Sequence, residues 1–382
     1  MSEKFLVIQT AFIGDVVLAT AIVESLHEAY PDARIDFLLR KGAEGLLNGH
    51  PYLHELLVWD KKKNKLPNLW KLLRRVRRNR YDKVINVQRY AATGLITACS
   101  GARETIGFDK NPFSFFFTTK VKHVFSGYIK KAGRDLSLQD TQNAGRGEAY
   151  AGPAASLTVK GVQESPGSHS PLAGELSPVH EIERNNALIH HFTHRLAGKP
   201  ALYPTAKDDS AVAGYTIHPY ITISPASVWF TKQYPAQKWA DFMDRVPAVY
   251  TLYLLGGRED AGLAEEIREK TLHPSVVNLC GKLDFLQSAA LMRDALMNYT
   301  NDSAPMHFAS AVNAPVTAVY CSTIPAFGYG PLSDKHFIVE KKEPLYCRPC
   351  GLHGYRACPQ GHFRCAADIR DEQLLETIGL GA

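Results

Sequence analysis

Asn301-Asp302-Ser303-Ala304-Pro305-Met306-His307 lies between an apolar run that reads as a strand, Leu296-Met297-Asn298-Tyr299, and a short helical stretch at 306–312. A strand that ends in Asp-Ser and turns into a helix presents unpaired backbone N–H groups and the positive end of a helix dipole to whatever lies above it. That suits a phosphate. The same residues also suit a plain helix start in which Asp302 or Ser303 is the N-cap. The choice depends on whether the rest of the chain builds more such turns on the same side.

The second half does so. Strand-like runs at Ile221-Thr222-Ile223, Thr251-Leu252-Tyr253-Leu254-Leu255, Val276-Val277-Asn278-Leu279, 296–299 and Val316-Thr317-Ala318-Val319-Tyr320 alternate with helical segments at about 236–246, 260–271, 286–294 and 306–312. Such alternation predicts a parallel sheet with helices on both faces and a ligand at the carboxyl ends of the strands. Those ends are Ser224-Pro225-Ala226-Ser227, Gly256-Gly257-Arg258-Glu259, Gly281-Lys282 and the Asp302-Ser303 turn. Ser227 and Gly256 are small enough for close backbone approach, while Thr231 and Lys232 add a hydroxyl and a cation. The N–H groups of Ser303 and Ala304 are candidate phosphate donors. Glu259 can accept from ribose hydroxyls or serve as a helix-start carboxylate. His307 reads equally as a ligand, a pocket wall or a core residue. The outline is a nucleotide-diphosphate pocket.

The first half opens with a β-α-β unit: Phe5-Leu6-Val7-Ile8, a helix at 16–30 stopped by Pro31, and Arg34-Ile35-Asp36-Phe37-Leu38-Leu39. Its first turn holds one glycine, Gly14, where a dinucleotide fold wants three, which argues against a nicotinamide dehydrogenase. Asp15 follows, suited to an N-cap or to a general base. Residues 61–80 form a strongly basic segment with Leu69, Trp70, Leu72, Leu73 and Val76 at helical spacing. It reads as a surface helix packed on a sheet, or as contact with an anionic membrane face. Lys83-Val84-Ile85-Asn86-Val87-Gln88 is a further buried strand with a polar end.

The 382 residues exceed one average core, so two domains are expected, 1–200 and 215–382, with 200–214 as linker. Residues 133–177 turn to Ser, Gly, Pro and Ala with little periodicity and read as a flexible insertion. A net charge of +6 favours an anionic ligand. The leading apolar run is too short for a signal peptide and no stretch approaches a membrane span, so the expected location is cytoplasmic. Cys347, Cys350, Cys358 and Cys365, with His353 and His362 among them, have spacings that either close a structural zinc site or leave bare thiols pinning the tail. A zinc-ribbon nucleic-acid binder would not need two β/α domains, so no nucleic-acid partner is expected.

Laid out in this order, the chain resembles the ADP-heptose:lipopolysaccharide heptosyltransferases of glycosyltransferase family 9, over nearly all its length apart from the insertion. The carriers are Ile13-Gly14-Asp15-Val16-Val17 with Tyr30-Pro31-Asp32-Ala33, then Asn86-Val87-Gln88, Ile106-Gly107-Phe108, residues 227–239 and residues 301–315. The cysteine-rich ending is similar to that of the heptosyltransferase II-like branch. The resemblance implies a GT-B-type fold, two Rossmann-like domains facing across a cleft. The acceptor, a lipid A-core sugar, belongs on the N-terminal side near Gly14 and Gln88, and ADP-heptose on the C-terminal side. It implies an inverting transfer that requires no cofactor for catalysis, at the cytoplasmic face of the inner membrane. By position Asp15 matches the general base, Lys232 the cation on the diphosphate, and Asp302 to His307 its cradle. The family usually carries Gly before the proline of that cradle. Ala304 stands there instead, harmless at negative φ and strained at positive φ. A related transferase for another nucleotide sugar, or a non-catalytic nucleotide-binding or zinc-dependent interaction protein, are the alternatives.

Overall fold

The computed structural model describes residues 2–61, 65–124, 130–131, 134–135 and 179–380. Most of the 133–177 stretch, expected to be a flexible insertion, lies outside the described residues. Six short runs rich in Val, Ile, Leu and Phe form the first sheet: β1 (Lys4–Ile8), β2 (Arg34–Arg40), β3 (Leu53–Trp59), β4 (Lys83–Asn86), β5 (Glu104–Phe108) and β6 (Thr119–Val121). Its order is β3-β2-β1-β4-β5-β6 and every pairing is parallel. A two-residue antiparallel pair follows, β7 (Lys130–Lys131) with β8 (Arg134–Asp135).

The second sheet repeats the plan with β9 (Tyr220–Ser224), β10 (Thr251–Leu254), β11 (Val276–Asn278), β12 (Asn298–Asn301), β13 (Val316–Tyr320) and β14 (His336–Glu340) in the order β11-β10-β9-β12-β13-β14. In both sheets the chain starts in the middle, winds outward, then returns to wind the other way. The crevice at the carboxyl ends of β1 and β4, and of β9 and β12, is the topological switch point where such sheets bind ligands. The Gly14 loop leaves β1 and the Asp302 turn leaves β12, so both sit at these crevices.

The helices are α1 (Ile13–Ala29), α2 (Lys65–Asn79), α3 (Ala91–Ala98), α4 (Glu181–Asn186), α5 (His190–Thr193), α6 (Ala206–Val212), α7 (Ala236–Asp244), α8 (Ala261–Lys270), α9 (Phe285–Arg293), α10 (Ala304–Ala311), α11 (Arg364–Ala367) and α12 (Asp371–Leu375). On one face of the first sheet α2 seats Leu69, Leu72 and Val76 against Leu6, Ile8 and Trp59. Burying each such side chain contributes roughly 1.5–3 kcal/mol. On the other face α1 is apolar nearly all round, with Val16 to Ala21 and Ile22, Val23 and Leu26 buried. A helix of that kind must be covered on both sides. Its second cover is α10 of the other half: Val16, Val17, Ile22 and Val23 share one hydrophobic cluster with Met306, Phe308 and Ala309.

Several expectations change in detail. The strand expected at 296–299 runs two residues later, so Asn301 is its last residue and the turn is Asp302-Ser303 alone. Residues 181–193 form two short helices, α4 and α5, and His194 ends the second in the left-handed region at φ 53°. The stretch 200–214 is no simple linker, because it contains α6, which packs on α9. Of the unforeseen strands, β3, β6 and β14 are sheet edges whose residues are partly exposed, so they lack the unbroken apolar run of an inner strand, and in inner β5 Thr105 and Gly107 interrupt that run.

Asn301 shows how the sheet positions the loops above it. Fully buried, it accepts the N–H of Tyr234 at 2.8 Å and donates to the carbonyl of Pro225 at 2.7 Å, clamping both ends of the 225–234 loop. Asn301→Ala strands two buried backbone groups and is expected to cost about 2–4 kcal/mol. A denaturant titration reads this directly, and an unshifted midpoint would show that other contacts hold the loop.

Candidate functional site

The N-terminal ends of α1 and α10, one from each half, meet at the crevice. A Cβ on Gly14 would lie 2.9 Å from Cδ2 of His307 and 3.6 Å from Cα of Ala304. The expectation that Gly14 serves a tight turn is therefore corrected. It is the second residue of α1, at no positive φ, and its lack of a side chain is what admits the His307 ring. Ala304 opens α10 and is absent from the positive-φ residues, so its extra methyl is carried without backbone strain.

Asp15 is not the N-cap of α1; Phe12 holds that position, and Asp15 reaches back from the third helical residue to accept the Phe12 N–H at 3.2 Å. Burial is the largest influence on its carboxyl and pushes its pKa up to about 7, with the charge of Glu181 adding to it; the Phe12 N–H, Arg89 and Lys232 pull the other way. A carboxylate that titrates near neutrality is a far stronger base than an ordinary aspartate while still ionising at working pH. The helix N-terminus alone would have lowered it.

Across the crevice Lys232 forms a 2.7 Å ion pair with Asp302, both largely buried, and Thr323 donates its hydroxyl to the same carboxylate oxygen at 2.6 Å. Asp302 therefore holds a cation and a hydroxyl in place. A carboxylate has no donor to offer a phosphate. The Ser303 hydroxyl does not cap α10 and leans toward the carbonyl of Asn301 at 3.4 Å. The first N–H groups of α10 have no intrahelical partner, as at any helix start. Thr231 is buried, and its Oγ accepts from Ser322 at 3.0 Å and from the N–H of Tyr355 at 2.7 Å. His307 is buried, its Nδ1 has no partner among the described residues, and burial, aided by His180 and Lys232, drives its pKa down to about 3. It is a neutral imidazole at any ordinary pH.

The remaining expected residues divide. Ser227 is partly exposed in the clamped loop and its carbonyl accepts from Gln233 at 2.6 Å. Gly256 is small because Asp260 and Cys280 crowd it, at 2.8 and 3.0 Å from a would-be Cβ. Glu259 is exposed at the start of the same turn. On the first sheet Gln88 is buried and accepts the Thr10 hydroxyl at 2.6 Å. Thr10 in turn takes the Lys61 ammonium at 2.8 Å. The Nε2 of Gln88 and the Nδ2 of Asn86 have no described partner, leaving two buried donors at the carboxyl end of β4.

The cysteine-rich tail separates the two alternatives its spacing left open. Among the described residues no group of three or more His, Cys, Asp or Glu side chains is placed to hold a metal ion, so the structural zinc expected at Cys347, Cys350, Cys358 and Cys365 has no support; all four are free thiols. Hydrogen bonds anchor the tail instead. Arg348 donates to the carbonyls of Cys321 and Thr323 at 2.8 Å each, and the Cys350 N–H reaches Ser322. Gly354, at φ +79°, lies against Lys232 and Thr231, with 3.0 Å from its would-be Cβ to each.

Sequence reasoning missed Glu181, Arg89, Thr323 and the tail's contact with Lys232. Thr323 was findable, since Ser322-Thr323 is the polar end of an apolar strand. Glu181 was not, because only the fold brings α4 against α1.

One consequence concerns pH. The raised pKa of Asp15 means the folded chain holds its proton more tightly than the unfolded chain. Its contribution to stability is therefore present at acidic pH and declines as pH rises from about 4 to about 7. Asp15→Asn should melt higher than the wild type at pH 8, with the gap closing toward pH 4. Thermal melts across that range read it, and a variant that is less stable at pH 8 would contradict the buried-acid account.

Comparison with known proteins fits this geometry. The family model for glycosyltransferase family 9 (heptosyltransferase) matches residues 175–353. The lipopolysaccharide heptosyltransferase 3 of Escherichia coli is 26% identical over 320 residues, 82% of each chain. Two solved structures share the fold. One is the family 9 glycosyl transferase of Veillonella parvula, with TM-score 0.74, 19% identity, 99% of this chain and 96% of that one. The other is the E. coli ADP-heptose heptosyltransferase II, with TM-score 0.69, 20% identity, 98% and 97%. The two wound sheets are thus the GT-B arrangement, and no described helix is long and apolar enough to cross a membrane. Residues 175–353 thus carry a glycosyltransferase family 9 (heptosyltransferase) domain, and the chain is a glycosyltransferase.

Proposed function

We propose that this enzyme moves heptose from ADP-heptose to the inner core of lipopolysaccharide, with inversion at the anomeric carbon. The observation that carries the reading is Asp15, with its pKa near 7, facing the Lys232–Asp302 pair across the Gly14–His307 contact. In the transfer Asp15 takes the proton of an acceptor hydroxyl as that oxygen bonds to the anomeric carbon and the bond to ADP breaks. Charge grows on the departing diphosphate, and Lys232 with the N–H groups of Ser303 and Ala304 is already aimed where it grows. Asp302 keeps Lys232 in position. Diphosphate charge is met by these groups, and the reading calls on no metal cofactor.

The acceptor, a lipid A-core sugar, then lies on residues 1–200, where Gln88 and Asn86 offer unpaired donors. ADP-heptose lies on residues 215–382, with Ser227, Gly256 and Glu259 about the nucleoside. The cysteine-rich tail favours a second-heptose, II-like step. The exposed cationic face of α2, with Lys71, Arg74, Arg77 and Arg78 around a 59% exposed Trp70, suits peripheral contact with the inner membrane from the cytoplasm.

The deciding experiment is turnover of ADP-heptose with Kdo-lipid A and with the same acceptor already carrying one heptose. Transfer to the heptosylated acceptor is expected, rising with pH through about 7 and reduced at least 100-fold or so in Asp15→Asn. Reaction only with the bare acceptor would move the enzyme one step earlier. Binding of ADP without any transfer would overturn the heptose assignment. Gly14→Ala is a second probe. Its methyl must displace the His307 ring, so kcat should fall, while ADP affinity of the other half is largely kept.

A further inference from the structure

At the opposite edge of the first sheet, below the amino ends of β4 and β5, the surface opens into a pocket of about 380 Å³ lined by Arg77, Arg80, Asp82, Ser100, Gly101 and Arg103 among others. Strand direction puts it a full strand length from the crevice. Three guanidiniums meet one carboxylate here. Asp82 is committed, accepting the N–H of Lys4 at 2.9 Å and Arg103 at 3.2 Å. The Arg103 side chain is 88% exposed, so that pair holds it weakly and leaves it able to turn inward. Arg77 gives one N–H to the carbonyl of Cys99, capping α3, and keeps the rest of its fork for the pocket.

Arg80 is the most informative of the three. It ends α2 in the left-handed region, at φ 50°, where glycine or asparagine is the usual residue and the Cβ of an arginine is disfavoured. No described residue pairs with its guanidinium. Gly101, at φ +74°, forms an open floor, with no atom within 4 Å of a would-be Cβ. An unfavourable arginine beside two others, over a glycine floor, is a built cationic receptacle. Planar guanidinium forks match tetrahedral oxyanions, and the volume exceeds what a lone carboxylate would fill.

We infer that this pocket binds a phosphate group, at a site separate from the donor crevice and independent of the donor and acceptor assignments above. The phosphate can come from a phospholipid headgroup, reached along the cationic face of α2, or from free phosphate.

The test uses the full chain with ADP saturating the crevice. Inorganic phosphate is titrated calorimetrically, and sedimentation is measured with phosphatidylcholine vesicles with and without phosphatidylglycerol. Arg80→Gly with Arg103→Gln removes two forks while relieving the left-handed strain, so the variant should fold and bind ADP as before. Phosphate binding should weaken roughly tenfold or more. Phosphatidylglycerol-dependent sedimentation that phosphate competes away and the variant loses assigns the lipid source. Phosphate binding lost in the variant without vesicle binding assigns the soluble one. A wild type that binds neither, or a variant that binds as the wild type does, overturns the inference.

Discussion

The close approach of two helix ends across the crevice is the constraint on which the site depends. Gly14 on α1 and Ala304 on α10 are small where they meet, and the His307 ring fills the remaining space. One hydrophobic cluster runs through both helices, so the halves are joined by core and not by surface contact alone. The apolar character of α1 on all sides, the raised pKa of Asp15 and the neutral state of His307 are different results of this one burial. An aspartate at an open helix start would be an ordinary, strongly acidic carboxyl.

Charge is distributed across the crevice with a division of labour. The buried carboxylate of Asp302 is spent on Lys232 and Thr323, which holds the cation against the entropy of its long side chain. Such a pair is costly to bury but specifies geometry. Asp15, by contrast, is left with a single backbone donor and a neighbouring negative charge. Two aspartates on facing helix starts thus have opposite tasks, set by their neighbours and not by their chemistry.

Much of this was legible in the sequence. Apolar runs alternating with helical stretches carried β1, β2 and β4 of the first sheet and β9 to β13 of the second, because inner parallel strands are buried on both faces and read as unbroken hydrophobic stretches. The turn at Asp302 and the cation at Lys232 were visible as polar residues at strand ends. Edge strands β3, β6 and β14 were missed since their residues are partly exposed, and inner β5 since Thr105 and Gly107 break its apolar run. The tail stayed open between a zinc site and bare thiols because cysteine spacing suits either, while the contacts that hold it, from the Arg348 guanidinium, the Tyr355 N–H and the packing of Gly354, leave no spacing signature. Glu181 beside Asp15 was beyond reach, being set by tertiary contact alone.

The contact of Tyr355 and Gly354 with Thr231 and Lys232 also orders events during synthesis. The Lys232 side of the crevice is begun by residues near 225 and finished by residues more than a hundred positions later, so its cation gains its final packing only once residues 354 and 355 have left the ribosome. The first sheet, complete by residue 121 within the described residues, can fold long before that. A nascent chain therefore has the Asp15 side of the crevice before it has a finished Lys232 side. The packing around Lys232 thereby becomes a mark of a chain synthesised past residue 355.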